Sequence, residues 1–500
     1  MRLSLALTAT GAVLAAANTS SPHAKRAALD DCLQSAKVPV SARNSAEWKQ
    51  DARPFNQRLP YTPAAIAVPT TVEHIQAAVS CAAKVGVKVN AKSGGHSYAS
   101  FGLGGEDGHL VVELDRMYNV TLDPQTNIAT VQPGARLGHI ATVLYREGKR
   151  AFSHGTCPGV GVGGHSLHGG FGFSSHTHGL AVDWITGASV VLANGSLVTA
   201  SETENADLFW ALRGAGSNFG IVASFRFKTF AAPANLTSYQ INLPWSTSSA
   251  IVKGWGALQD WLLNGSMPEA MNMRILGNGY QTQLQGLYHG NASALRTAAA
   301  PLLTLLNATL SNVREYDWMG AFGEYAYSND IDITTPSYSA AETFYSKSLV
   351  TSALPPTVLQ NVADYWITTA KKVSRAWYII IDLYGGPTSA ITKVGPGATA
   401  YAFRDPTKHL FLYELYDRSF GSSYPADGFS FLDGWVKAFT QGLDATQWGM
   451  YINYADPRLN RSEAQQVYYR QNLARLRRIK RLVDPDQVFY YPQAVEPAEA

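Results

Sequence analysis

Apolar residues recur at helical spacing early in the chain. Ile75, Ala78, Val79, Ala82 and Val85 share one face. Thr70 and Glu73 form a capping box before them, and Gly86 offers a left-handed stop after them. Residues 54–69 are Pro-rich and expected to be extended. Short apolar runs then predict strands over 87–91, 110–114 and 128–132, with a helix over 137–146. Residues 207–227 read as a helix, a glycine turn (Gly214, Gly216, Gly220) and a strand with Ile221, Ala223, Phe225 and Phe227 on one side.

The texture changes near 231–235, where glycine clusters thin out and elements lengthen. Helices are predicted over 251–263 and 429–439, and strands over 280–289, 376–384 and 409–416. These read as a second domain built on one sheet. Ser462 and Gln465 are placed to cap a last helix ending before Pro485. Its Arg475, Arg477, Arg478, Lys480 and Arg481 are expected to form a solvated face. The fold class is α+β. The expected division is a first domain over 27–233, a second over 234–456, and a segment 457–500 that returns to the first.

Five hundred residues exceed one core. With 46% hydrophobic and 15% charged residues the chain is globular, and a net charge of +3 gives no electrostatic case for nucleic acid. Arg2, a short apolar run and Ala15-Ala16-Ala17 read as a secretory signal over 1–17, and Lys25-Arg26 offers a second processing site. The run is too short to span a membrane. Seven sequons after Lys25-Arg26 support secretion: Asn119, Asn194, Asn235, Asn264, Asn291, Asn307 and Asn460. The three cysteines leave one unpaired in an oxidising compartment. Cys32 and Cys81 are the expected disulfide pair, with three buried thiols as the alternative. Cys157 is then the odd one.

Cys157 lies in the least ordinary stretch of the chain. Residues 152–180 hold nine glycines and five histidines. Glycine at this density lets backbone N–H groups approach an electron-rich ligand, and a loop so costly to order needs something to hold it. A second glycine loop spans 93–98. None of the glycine loops matches a dinucleotide fingerprint or a P-loop, so the residues alone point to a nucleotide held outside a Rossmann fold. A metal site on His154, His165, His168, His176 and His178 is the rival reading, but no carboxylate joins them at a known ligand spacing.

The stretches SGGHSY, GTCPGVGVGGHSLHGGFG, THGLAVDWITGASVVLANG, DLFWALRGAGSNFGIV, NYAD and VFYYPQAVEP resemble the vanillyl-alcohol-oxidase-type flavoproteins. More narrowly they resemble the berberine-bridge-like branch and its secreted fungal oligosaccharide oxidases. The resemblance implies a two-domain fold with a large antiparallel sheet in the substrate domain. It implies FAD tethered twice, through His96 to the 8α-methyl group and through Cys157 to C6. The cofactor-binding set then comprises His96, Cys157, Ser93, Gly94, Gly95, Ser97, Gly155, Val160, Gly161, Gly164, His165, Gly220, Val222, Tyr490 and Gln493. Val160 falls at the position that gates oxygen in this family.

The implied reaction oxidises the anomeric hydroxyl of a sugar to a lactone and reduces O₂ to H₂O₂. Tyr454 is the implied base and Asp382 its partner; Tyr98, Arg274, Glu414 and Tyr451 are the implied substrate contacts. Ile380, Leu276 and Glu414 depart from the gluco-oligosaccharide enzymes, which carry glutamine, glutamate and glutamine there. The departures favour a pentose oligomer over a hexose one. The expected partners are an oligosaccharide and O₂, with the enzyme a monomer, and no metal, nucleic acid or membrane. The competing readings are a berberine-bridge-like oxidase of an alcohol or alkaloid, and a flavin-free sugar-binding or metal protein.

Overall fold

The computed structural model describes residues 21–334, 341–421 and 423–499. The expected signal segment lies outside them. The first half carries two main sheets and a two-stranded pairing of Arg150–Ala151 with Phe230–Ala231. A three-stranded parallel sheet runs in the order Ala65–Ala67, Leu110–Glu113, Val89–Lys92. An antiparallel five-stranded sheet runs in the order Val120–Leu122, Ile128–Val131, Ile221–Lys228, Ile185–Val191, Leu197–Ser201. Glycine loops leave the ends of these elements and converge.

The second half is dominated by an antiparallel sheet of eight strands. Their order is Leu310–Tyr316, Leu236–Asn242, Thr282–Tyr288, Met271–Asn278, Ala376–Leu383, Phe411–Ser419, Thr343–Thr351, Trp448–Gly449. Successive side chains on a strand point to opposite faces. On one face Ile275, Ile379, Ile381 and Tyr413 are fully buried in a core shared with Trp255, Trp366 and Trp435 of helices Ser248–Leu263, Pro356–Thr368 and Ala426–Thr440. The other face presents Arg274, Tyr378, Ile380, Asp382 and Glu414 toward the glycine loops. The Ile379 to Ile381 run thus reads as a strand because one parity is core, while the other parity is free to carry chemistry.

Among the described residues, no helix is long and apolar enough to cross a membrane. Cys32 and Cys81 are bonded, with Cα atoms 5.7 Å apart, and Cys157 is free of a disulfide. All seven sequon asparagines are exposed. The structure corrects two caps. Helix Val72–Val85 is capped by Thr71, which accepts from His74 N, and not by Thr70. The C-terminal helix is two helices, Arg461–Tyr469 and Leu473–Val483, because Arg470 breaks it at φ 49°. Asn460, not Ser462, caps the first of them, with Glu463 completing the box.

The basic face is also corrected. Lys480 is fully buried. Its ammonium donates to Asp484 (2.6 Å), to the Asn218 carbonyl (2.6 Å) and to the Phe489 carbonyl (2.7 Å). It thereby ties the last helix and the tail to the third glycine turn. Val89 bridges to Phe489, Asn90 donates to the Tyr490 carbonyl and Val495 N donates to Asn218. Lys480→Ala would leave the Asp484 carboxylate buried without its cation, at a cost of about 3–5 kcal/mol. We expect the variant to unfold several degrees below the parent; an unchanged midpoint in a thermal melt would show that the pair contributes nothing.

Candidate active site

A cavity of about 470 Å³ lies between the glycine loops and the polar face of the large sheet. Its loop wall depends on a close backbone contact. A Cβ on Gly94 would stand 2.2 Å from Gly161 N, and one on Gly161 would stand 2.0 Å from Gly94 N. Only glycine at both positions lets the two loops touch. Arg136, nearly buried, clamps them by donating one nitrogen to the carbonyls of Gly94 (2.9 Å) and Gly159 (2.7 Å). The contact brings His96 and Cys157 into one wall although 60 residues separate them in the chain.

The histidines of the central loop mostly serve its backbone. Gly155 N donates to His165 Nε2 (3.0 Å), and His168 joins the Gly164 carbonyl (2.9 Å) to the Ser217 hydroxyl (2.9 Å). Burial pushes His165 down to about 3 and His168 to about 4, so both are neutral. Among the described residues, these histidines do not gather as a set of three metal ligands. His96 stacks on Phe55, with centroids 4.4 Å apart. Burial, and then Arg136, hold its imidazole down at about 3. The imidazole is therefore neutral.

The sheet wall carries the acids. Glu414 and Asp382 are both buried. Tyr98 (2.8 Å) and Tyr378 (3.1 Å) both donate to one oxygen of Glu414. Tyr98 stacks on Tyr454, 5.6 Å between centroids. Burial drives Asp382 up to about 8, against the pull of Arg274, its cross-strand partner. Burial and the neighbouring Glu414 and Asp382 charges push the Tyr454 hydroxyl well above its ordinary range. Arg274 lies over the Phe173 ring at 4.6 Å and donates to Gln285.

Ser93, Gly94, Gly95, His96, Ser97, Gly155, Cys157, Val160, Gly161, Gly164, His165, Gly220 and Val222 line the cavity, as do Tyr98, Arg274, Asp382, Glu414 and Tyr454. Three expected residues do not. The Tyr451 hydroxyl sits behind the wall, accepting from Gly170 N (2.8 Å) and Asn453 (2.9 Å). The Tyr490 ring turns outward beside Lys88 and Arg461, and its neighbour Tyr491 faces the cavity instead. Gln493 donates to the carbonyls of Asp456 and Leu459. Sequence reading missed Arg136, Phe55 and Tyr378. Tyr378 was within reach, since it shares the parity of Asp382 on one strand; nothing in the sequence around Arg136 marks it.

The lining fits a flavin nucleotide. Gly164 borders the cavity, and a Cβ built on it meets no atom within 4 Å, so the absent side chain leaves room for a ligand. A neutral imidazole and a disulfide-free thiol share the same wall. Comparison with known proteins agrees. Residues 63–201 match the model of an FAD binding domain and residues 450–496 that of berberine and berberine-like proteins. The chain is 80% identical over 497 residues to a xylooligosaccharide oxidase of Thermothelomyces thermophilus, covering 99% of each sequence. A xylooligosaccharide oxidase from Myceliophthora thermophila C1, solved with xylobiose, superposes with a TM-score of 0.94 at 80% identity over 95% of this chain and 100% of that one. A glucooligosaccharide oxidase from Acremonium strictum, described with 6-S-cysteinyl, 8α-N1-histidyl FAD, gives 0.91 at 44% identity over 95% and 100%.

Proposed function

The chain belongs to the berberine-bridge-like family of FAD-linked oxidases, and from that membership we infer how its cavity works. It is an FAD-dependent carbohydrate oxidase acting on oligosaccharides, and its FAD is covalently held. His96 and Cys157 are the residues we assign to the two links, and the loops 93–97 and 155–165 to the flavin cradle. We read the substrate as a xylo-oligosaccharide bound at its reducing end, and O₂ as the final acceptor, released as H₂O₂. The observation that carries this reading is the meeting of Asp382 and Tyr454 opposite His96 and Cys157 across one cavity.

FAD, when bound, supplies the acceptor for the hydride leaving C1. The chain must take the proton from the C1 hydroxyl. Tyr454 cannot do this as a standing phenolate, because burial, and then Glu414 and Asp382 beside it, disfavour its ionised form. Glu414 already accepts two phenol hydrogens through one oxygen. Asp382 is left as the sink: Tyr454 takes the sugar proton while passing its own to Asp382. Once ionised, a carboxylate poised near 8 is a far better proton acceptor than one near 4. Glu414 then holds Tyr98 and Tyr378 in place against the sugar. Secretion and glycosylation accord with the exposure of all seven sequons. A berberine-bridge-like reaction on an alcohol or alkaloid would give no H₂O₂ with any reducing sugar.

Three measurements test these assignments. Acid-precipitated holoenzyme should stay yellow, and His96→Ala should retain yellow pellet through Cys157 while turning over more slowly; colourless pellet from that variant would refute the double link. Asp382 is raised, so it becomes a base only as pH climbs. We expect kcat/KM to rise with pH and level above about 8. Asp382→Asn should lose about a hundredfold or more in kcat and flatten that limb. With Ile380 and Leu276 where polar contacts to a hexose would be needed, kcat/KM should be higher for xylobiose than for cellobiose; the reverse order would overturn the pentose assignment.

A further inference from the structure

The cavity is short, but its floor continues beyond it. Along the strand Ala376–Leu383 the cavity-side residues are Asp382, Ile380 and Tyr378. The next residue of that parity is Ala376, at the open end of the strand, roughly 20 Å from Asp382 at about 3.3 Å per residue. Ala376 pairs with Arg418 on one side, and Tyr378 pairs with Asn278 on the other. Just past Asn278, Tyr280 occupies the tip of the hairpin, where Asn278 Oδ1 accepts from Tyr280 N (2.8 Å) and Gln281 N (2.9 Å). Just past Arg418, Phe420 follows its strand and lies under the Arg418 guanidinium at 4.6 Å. Arg418 is in turn held by Glu342 at 3.0 Å.

These two rings are unusually bare. Tyr280 is 96% and Phe420 81% exposed. Among the described residues only one other aromatic ring exceeds three-quarters exposure, Tyr327 at 76%, and it lines the cavity itself. Single exposed apolar side chains need no explanation, but rings grouped at the end of a binding cleft mark a contact surface. Both are fixed from behind, one by an Asx turn and one by a braced guanidinium, so little order is left to lose on binding. The strand that carries the small Ala376 runs between the strands that lead to them.

We propose that Tyr280 and Phe420 form a distal subsite that stacks on sugar rings of a longer oligosaccharide, away from the end being oxidised. The inference rests on the oligosaccharide reading of the cavity. Xylobiose ends short of this edge, whereas a chain of several units reaches it. The subsite makes affinity depend on chain length and leaves the chemistry untouched.

The test compares xylobiose with xylohexaose in the holoenzyme and in Tyr280→Ala, Phe420→Ala and the double variant, alongside native gels containing soluble xylan. The parent should show a lower KM for the hexaose. The alanine variants should raise that KM roughly threefold or more, leave kcat and all xylobiose constants unchanged, and migrate faster through xylan. Tyr280→Phe should keep the parent behaviour. Hexaose kinetics equal to the parent's, or equal losses on both sugars, would overturn the subsite. If the parent oxidises no xylo-oligosaccharide, the reading of the cavity has failed, and the xylan gel alone decides the surface: retardation lost in the double variant supports it, and an unretarded parent refutes it.

Discussion

Two backbones touching at Gly94 and Gly161 set the geometry of the site. No side chain can stand between them, so the loop after the strand Val89–Lys92 and the loop before the helix at 162–167 share one surface. Arg136 turns that contact from steric permission into attachment by holding a carbonyl of each loop. His96 and Cys157 are consequences of this arrangement. Each is carried by one loop, and the contact fixes the span between them. The same guanidinium that joins the loops also disfavours a proton on His96.

The opposite wall works by unequal partnering. Glu414 and Asp382 have comparable burial, yet Glu414 receives two phenol donors and Asp382 faces only the partial compensation of Arg274. Burial without full compensation makes a carboxylate a stronger base. One acid is thereby assigned to holding aromatic rings and the other to holding a proton. The parity of a single strand keeps this polar surface on one side while tryptophans and isoleucines fill the other.

Much of this was legible in the chain. The helix over 72–85, the strand around 376–384 and the three glycine turns all follow from periodicity and punctuation. The failures have local causes. Thr70 and Thr71 are both capable caps, and only the backbone decides which reaches His74 N. Lys480 resembles its solvated neighbours in sequence, and its partners Asn218 and Phe489 come from remote segments. Tyr490 and Tyr491 are adjacent in an irregular tail, where no period predicts which ring turns inward. Arg136 acts on two carbonyls, groups that every residue carries, so no pattern announces its role.

The return of the tail has a consequence for biosynthesis. Phe489 and Tyr491 border the same cavity as Ser93 and His96, and Lys480 and Val495 secure the turn at Asn218. The cradle is thus assembled from segments far apart in the polypeptide. During translation the first half emerges long before the residues that complete its wall. The cavity takes its final shape only after residues 480–495 have been made, so a cofactor that needs this wall is attached after them.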